Sequence, residues 1–186
     1  MPFTLHAFTL HGLTPVNDPI TVKHGHTTLP QDSADMAQWI IQHAREHGFT
    51  LDVSQLKAVE HLERLYEDLI GLERMESFLQ RLLAKKRVVK GLYLWGGVGR
   101  GKSFLMDSFF NCAPAQKKRR IHFHRFMQEV HKRMNALTGQ AEPLAGVARE
   151  VAQEAKLLCL DEFHITDITD AMLMRKLLEG LMSEGV

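Results

Sequence analysis

Cysteine is scarce in this chain, as are tyrosine and tryptophan: there are two of each among 186 residues. Cys112 and Cys159 lie in apolar or helical patterns with no metal-ligand spacing, which fits a reduced compartment better than a disulfide scaffold. No uninterrupted apolar run approaches the roughly 20 residues that cross a bilayer. The start, MPFTLHAFTLHG, has neither the charged region nor the apolar stretch of a signal peptide. An excess of one charge is also missing. With 23 Lys and Arg against 22 Asp and Glu, the formal net charge is +1, so no overall field draws the chain to a polyanion and there is no strong nucleic-acid signal. The expectation is a cytoplasmic protein. Its 45% hydrophobic and 24% charged content describes one globular core of ordinary size with extra pieces.

The pattern divides the chain into residues 1–31, 32–87 and 88–186. In the first part FTLH occurs twice, at 3–6 and 8–11, prolines stand at Pro2, Pro15, Pro19 and Pro30, and His24 and His26 flank Gly25. This part reads as a peripheral extension with no assigned role, and the repeat as chance rather than a short strand pair. From Asp32 the pattern is helical. Asp32 or Ser33 can cap a segment in which Met36, Trp39, Ile40 and Ala44 recur at helical spacing, and Gly48 can end it. Asp52 or Ser54 can cap a second helix whose apolar stripe is Leu56, Val59, Leu62, Tyr66 and Leu69, with a charged opposite face.

Next comes VVKGLYLW, which reads as a buried strand, followed directly by a glycine-rich loop and then a helix carrying Phe104, Leu105, Ser108 and Phe109 on one face. Ala113 and Pro114 stop that helix. The loop is Gly96, Gly97, Val98, Gly99, Arg100, Gly101, Lys102 and Ser103, a full match to G-x-x-x-x-G-K-[ST] in the strand–loop–helix setting that the pattern requires. Each position has a task. The glycines let consecutive backbone N–H groups converge on phosphate oxygens, and the helix start adds its positive end. Lys102 reaches the outer phosphates of a bound ATP, and the Ser103 hydroxyl is a ligand for its Mg2+.

A second motif, AKLLCLDEFH, places four apolar residues, 157–160, before Asp161 and Glu162. It reads as a buried strand ending in carboxylates. Asp161 would hold the magnesium shell, and Glu162 would polarise the water that attacks the γ-phosphate, which favours hydrolysis over transfer to a metabolite. Between the motifs, KKRRIHFHRFMQEVHKRMNAL gives a strand at about 120–123 and a helix in which Phe126, Met127, Val130, Met134 and Leu137 are spaced to pack. Alternating strands and helices imply a doubly wound α/β layer with a parallel sheet. His122 and His124 would share a strand face, but no further ligand completes a metal site. They read as ordinary polar histidines, as do His43 and His47. The basic runs at 117–120 and 85–90 read as solvated ends of elements.

The stretches GLYLWGGVGRGKSFLMDSFF, RRIHFHRFMQEVH and LLCLDEFHITDITDAMLMRKLLEGL together resemble the ZapE-type cell-division ATPases, whose mitochondrial relatives are the AFG-like ATPases, within the AAA+ branch of P-loop proteins. The resemblance covers about residues 50–186, with Gln55, Ala58 and Leu62 fitting its leading helix. It implies residues 96–103 as the Walker A loop, Asp161 as the Walker B acid and Glu162 as the catalytic glutamate. His122, His124, Phe126 and residues 167–172 match signature positions. It also implies division proteins such as FtsZ as partners, with peripheral membrane association through them, or protein quality control in mitochondria. In the AAA+ order, the sensor 1 strand lies between the Walker A and Walker B strands. The chain stops where that strand should begin, so the expectation is an N-terminal fragment, truncated before it, with impaired turnover. An AAA+ nucleic-acid motor or helicase loader, and a nucleotide-gated binding module without turnover, remain the alternatives.

Overall fold

The structure, a computed structural model, describes the backbone of residues 7–9, 30, 32–75, 89–165 and 167–186. The chain divides into two compact units, residues 1–71 with 90–114 and residues 72–89 with 115–186.

In the first unit, α1 (Ser33–Glu46) starts where Asp32 accepts a hydrogen bond from the Asp35 amide at 2.8 Å. It gives way at His47 and Gly48, whose φ of 82° lies in the left-handed region that glycine enters without a Cβ penalty. Met36, Ile40 and Ala44 are buried, as their spacing predicts. Then α2 (Val53–Met75) begins on a reciprocal capping box. Asp52 Oδ1 accepts from the Gln55 amide at 2.8 Å, and Gln55 Oε1 accepts from the Asp52 amide at 2.7 Å. Val59, Leu62, Tyr66 and Leu69 are buried, but Leu56 is 39% exposed. The inner stripe begins at Gln55, four residues before Val59, and Leu56 sits about 100° further round the helix. The third helix, α3 (Lys102–Cys112), ends at Ala113, whose extended ψ of 134° is the conformation a following proline imposes.

The aromatic residues of α1 grip the first turn of α3. His43 stacks on Trp39 at 4.8 Å and on Phe104 at 5.5 Å between ring centroids, and Phe49 meets Phe104 edge-on at 4.7 Å. Elsewhere in this unit, the strands β1 (Ala7–Thr9) and β2 (Tyr93–Trp95) pair in parallel, Ala7 opposite Tyr93 and Thr9 opposite Trp95. Two expectations are corrected here. The N-terminal extension is not wholly peripheral, since it supplies the ladder partner of β2. Nor is β2 a buried strand: Tyr93 is 37% and Trp95 44% exposed. A three-residue strand in a two-stranded ladder has too few neighbours to cover both faces.

The second unit runs β3 (Lys118–His122), α4 (Phe123–Ala136), α5 (Pro143–Glu154), β4 (Leu157–Asp161) and α6 (Ile168–Glu184). β3 and β4 are parallel, with Lys118 opposite Leu157 and His122 opposite Asp161. Parallel neighbours need a crossover, which α4 and α5 provide. One apolar cluster holds the three helices together, built on Phe126 and Val130 of α4, Val147 and Val151 of α5, and Leu177 and Leu181 of α6. Ile121, Leu158 and Leu160 of the strands pack against it, as do Met134 and Leu137. Phe123 opens α4 rather than closing β3, because helical spacing puts its ring in the core with Phe126 and Met127. The strand therefore stops at His122. His122 and His124 do not share a strand face: the first ends β3, and the second lies on α4 with its Nε2 3.0 Å from Gln128 Nε2.

Cys112 and Cys159 are buried and form no disulfide. Among the described residues no helix is long and apolar enough to cross a membrane.

Two measurements follow from this packing. A Cβ added at Gly180 of α6 would lie 2.9 Å from Ala148 Cβ of α5. Alanine gains about 1 kcal/mol over glycine in a helix interior, whereas forcing a methyl into a packed contact costs about 1–3 kcal/mol. Gly180→Ala should therefore lower the urea midpoint, and adding Ala148→Gly should restore it. In the aromatic cluster, burial and then the neighbouring His47 hold the His43 pKa below its ordinary value, against a smaller opposite effect of Glu46. The unfolded chain then takes up the proton first. This contribution to stability is complete above about pH 6.5 and falls as pH drops below it. Thermal melts across that range should show the decline, and His43→Phe should remove this part of it.

Candidate functional site

The glycine loop joins β2 to α3 within the first unit. Gly96, Gly99 and Gly101 adopt φ of 145°, 74° and 74°, values that residues with a side chain rarely take. Gly101 is the N-cap of α3 and brings no side-chain acceptor to the first amides of the helix. The end of the helix where the macrodipole favours an anion therefore opens on bare backbone. Arg100 Nε, in the same loop, is buried with no hydrogen-bond partner. Lys102 Nζ donates to the Gly96 carbonyl at 2.9 Å and to the Gly97 carbonyl at 2.7 Å, which holds its ammonium over the loop. Ser103 lies exposed in the first turn of α3, and Val98 is exposed at the loop tip.

A helix start, an ammonium and a guanidinium make a donor set that fits a polyphosphate, and a hydroxyl is the hard oxygen ligand that magnesium takes. Gln55, buried at the start of α2, braces the loop by donating from Nε2 to the Arg100 carbonyl at 3.4 Å. Its spacing to Asp52 marks a helix start in the sequence, but nothing local shows that the amide also reaches residue 100.

The carboxylates lie at the end of β4 in the second unit. Asp161 is 15% exposed at its side chain. Its Oδ2 accepts from an Arg120 guanidinium nitrogen at 2.9 Å, and its Oδ1 accepts from the Glu162 amide at 2.9 Å. Glu162 is the non-glycine residue with a positive φ, 52°, among those described, so the chain turns sharply as it leaves the strand. That turn carries the Glu162 side chain, 77% exposed, out toward solvent, with His122 Nδ1 3.7 Å from its Oε2. As a hard oxygen ligand, Asp161 suits a hydrated divalent cation. Among the described residues no group of three or more His, Cys, Asp or Glu is arranged around one metal position.

The basic run at 117–120 is not solvated as expected. Lys117 Nζ donates to the Gln153 carbonyl at 2.9 Å, Arg119 pairs with Glu129 and with Glu154, and Arg120 pairs with Asp161. Strand alternation sends the two arginines to opposite faces, and each finds an acid there. The run at 85–90 lies mostly outside the described residues. In the signature segment 167–172, Asp167 caps α6 by accepting from the Thr169 amide, and that backbone bond holds its carboxyl below the usual range. Asp170 accepts from or pairs with His131 at 3.0 Å, while Ile168 and Met172 are exposed.

A family model described as AFG1-like ATPase matches residues 34–186. The chain is 42% identical over 147 residues to the cell division protein ZapE of Escherichia coli K12, an alignment that covers 73% of this chain and 39% of that protein. It is 39% identical over 114 residues to the lactation elevated protein 1 homolog B of Danio rerio, covering 55% of this chain and 23% of the relative. The chain thus spans well under half the length of these relatives. No solved structure matches it. With more than four-fifths of its residues inside the matched region, the chain belongs to the AFG1-like ATPase family.

Proposed function

We propose that the protein binds ATP on the loop 96–103 and hydrolyses it with Mg2+, using Ser103 and Asp161 for the metal shell and Glu162 to activate the attacking water. The observation that carries this reading is the set of left-handed glycines that ends in the side-chain-free N-cap at Gly101, with the Lys102 ammonium held over the loop. Glu162 supports its role by its exposure at the end of β4, where a water can reach it. Residues 32–87 serve as a helical lead-in: the α1 aromatic residues clamp Phe104 and the start of α2 braces Arg100. Residues 88–186 carry the ATPase core.

For the whole protein, the likeness to a cell division protein supports a role in remodelling division assemblies, with FtsZ as the partner to test first. A nucleic-acid motor draws no support from the run at 117–120, where Lys117, Arg119 and Arg120 are already bound to acids or carbonyls of their own unit.

Two substitutions test the assignment. Lys102→Ala should weaken binding of a fluorescent ATP analogue by at least about tenfold and cut hydrolysis by about 10²–10³ in the full-length protein, as expected when a fixed cation on developing phosphate charge is lost. Glu162→Gln should bind the analogue within about twofold of the parent yet lose about 10²–10⁴ in turnover, the range for removing a general base. Normal hydrolysis by Glu162→Gln would refute the role given to that residue.

A further inference from the structure

Opposite Cys159 in the parallel register, Arg120 shares a sheet face with Asp161, the next residue but one along β4. The contact between them is 2.9 Å, and the side chains are 30% and 15% exposed. The pair is therefore partly desolvated and stronger than an ordinary surface ion pair, while water still reaches it. Arg119 shows that the arrangement is specific. One residue earlier, it points to the helical face and meets Glu129 and Glu154 instead.

We propose that Arg120 is a positioning residue that acts as a built-in counter-cation for Asp161: it holds the carboxylate in place while no divalent ion is present and competes with magnesium for it. This rests on the reading of Asp161 as the magnesium-shell acid. Two features support competition over simple bracing. The guanidinium takes Oδ2 while Oδ1 is engaged by the Glu162 amide, so both oxygens already have a donor before any metal arrives. In addition, a guanidinium and a hydrated cation place donors on the same carboxylate lone pairs, so an incoming ion must share or displace the arginine. Arg120 thereby sets the magnesium concentration at which the acid becomes engaged.

The test is the Mg2+ concentration that half-saturates binding of a fluorescent ATP analogue by the full chain, with the urea midpoint as a folding control. Arg120→Gln should lower that concentration by about five- to tenfold, the scale of one charge-assisted contact. Arg120→Lys, which keeps the charge but loses the planar fork, should fall between the two. It carries the test by itself if Arg120→Gln does not fold. In an Asp161→Asn background, the Arg120 substitutions should change nothing, which a merely structural role would not produce. An unchanged or higher magnesium requirement in both Arg120 variants, with magnesium-dependent binding in the parent, would overturn this proposal alone. Binding by the parent that ignores Mg2+ would overturn it together with the metal reading of Asp161.

Discussion

The chemistry of the second unit depends on the register of β3 against β4. With Lys118 opposite Leu157 and His122 opposite Asp161, alternation sends Ile121, Leu158 and Leu160 to the cluster made by α4, α5 and α6. Arg120, His122, Cys159 and Asp161 go to the other face. A slip of one residue on β3 would exchange the two sets, drive Arg120 into the apolar cluster and expose Ile121. Burying an unpaired charge costs several kcal/mol, whereas the ion pair itself contributes about 1 kcal/mol. The apolar packing therefore selects the register, and the contact between Arg120 and Asp161 follows from it. The same logic gives Arg119 its two acidic neighbours, because α4 and α5 present Glu129 and Glu154 on the face that Arg119 must take.

In the first unit the controlling constraint is a helix that starts without a cap. A Ser or Asp caps a helix from extended backbone and contributes about 1 kcal/mol, but at Gly101 it would have to take a left-handed φ of 74°, which only glycine enters freely. The chain forgoes that local stability and recovers it by packing. Leu105 and Phe109 are buried, and the stacked rings of Trp39, His43 and Phe104 fix the first turn from outside. Gln55 adds a hydrogen bond from α2 to the loop. A loop that is loose in its own backbone preferences is thus held by neighbours on two helices. Such an arrangement suits a site that must present amides to a ligand without rearranging when it arrives.

Much of this was legible from the chain alone, and the reasons differ from residue to residue. The loop at 96–103 is readable because its demand is on the backbone: glycine at positions of left-handed φ, then lysine and a hydroxyl, permits few other meanings. The caps at Asp32 and Asp52 are local hydrogen bonds three residues long, so spacing suffices to find them. The helix around Phe126 and Val130 is readable because one side of it is apolar at a constant period. Leu56 misleads because an apolar residue beside a stripe looks like part of it until a buried glutamine, Gln55, shows where the stripe runs. His122 and His124 mislead because strand and helix differ at a single residue, and Phe123 is drawn to the helix by a core that lies elsewhere in the chain. The extension at 7–9 carries no periodic signal, and its pairing with β2 is a contact between segments more than eighty positions apart.

Short-range chemistry was thus enough for the first four helices, the caps at Asp32 and Asp52, the glycine loop and the acidic end of β4, because each rests on interactions within a few residues. The tertiary structure decided which charges meet. KRRIH contains two adjacent arginines of equal chemistry, and only the parallel pairing with LLCLD makes one a support for the helices and the other the partner of Asp161. The physical reason is that a strand's side chains divide between two faces at a period of two. What waits on each face is set by segments that fold in from far along the chain.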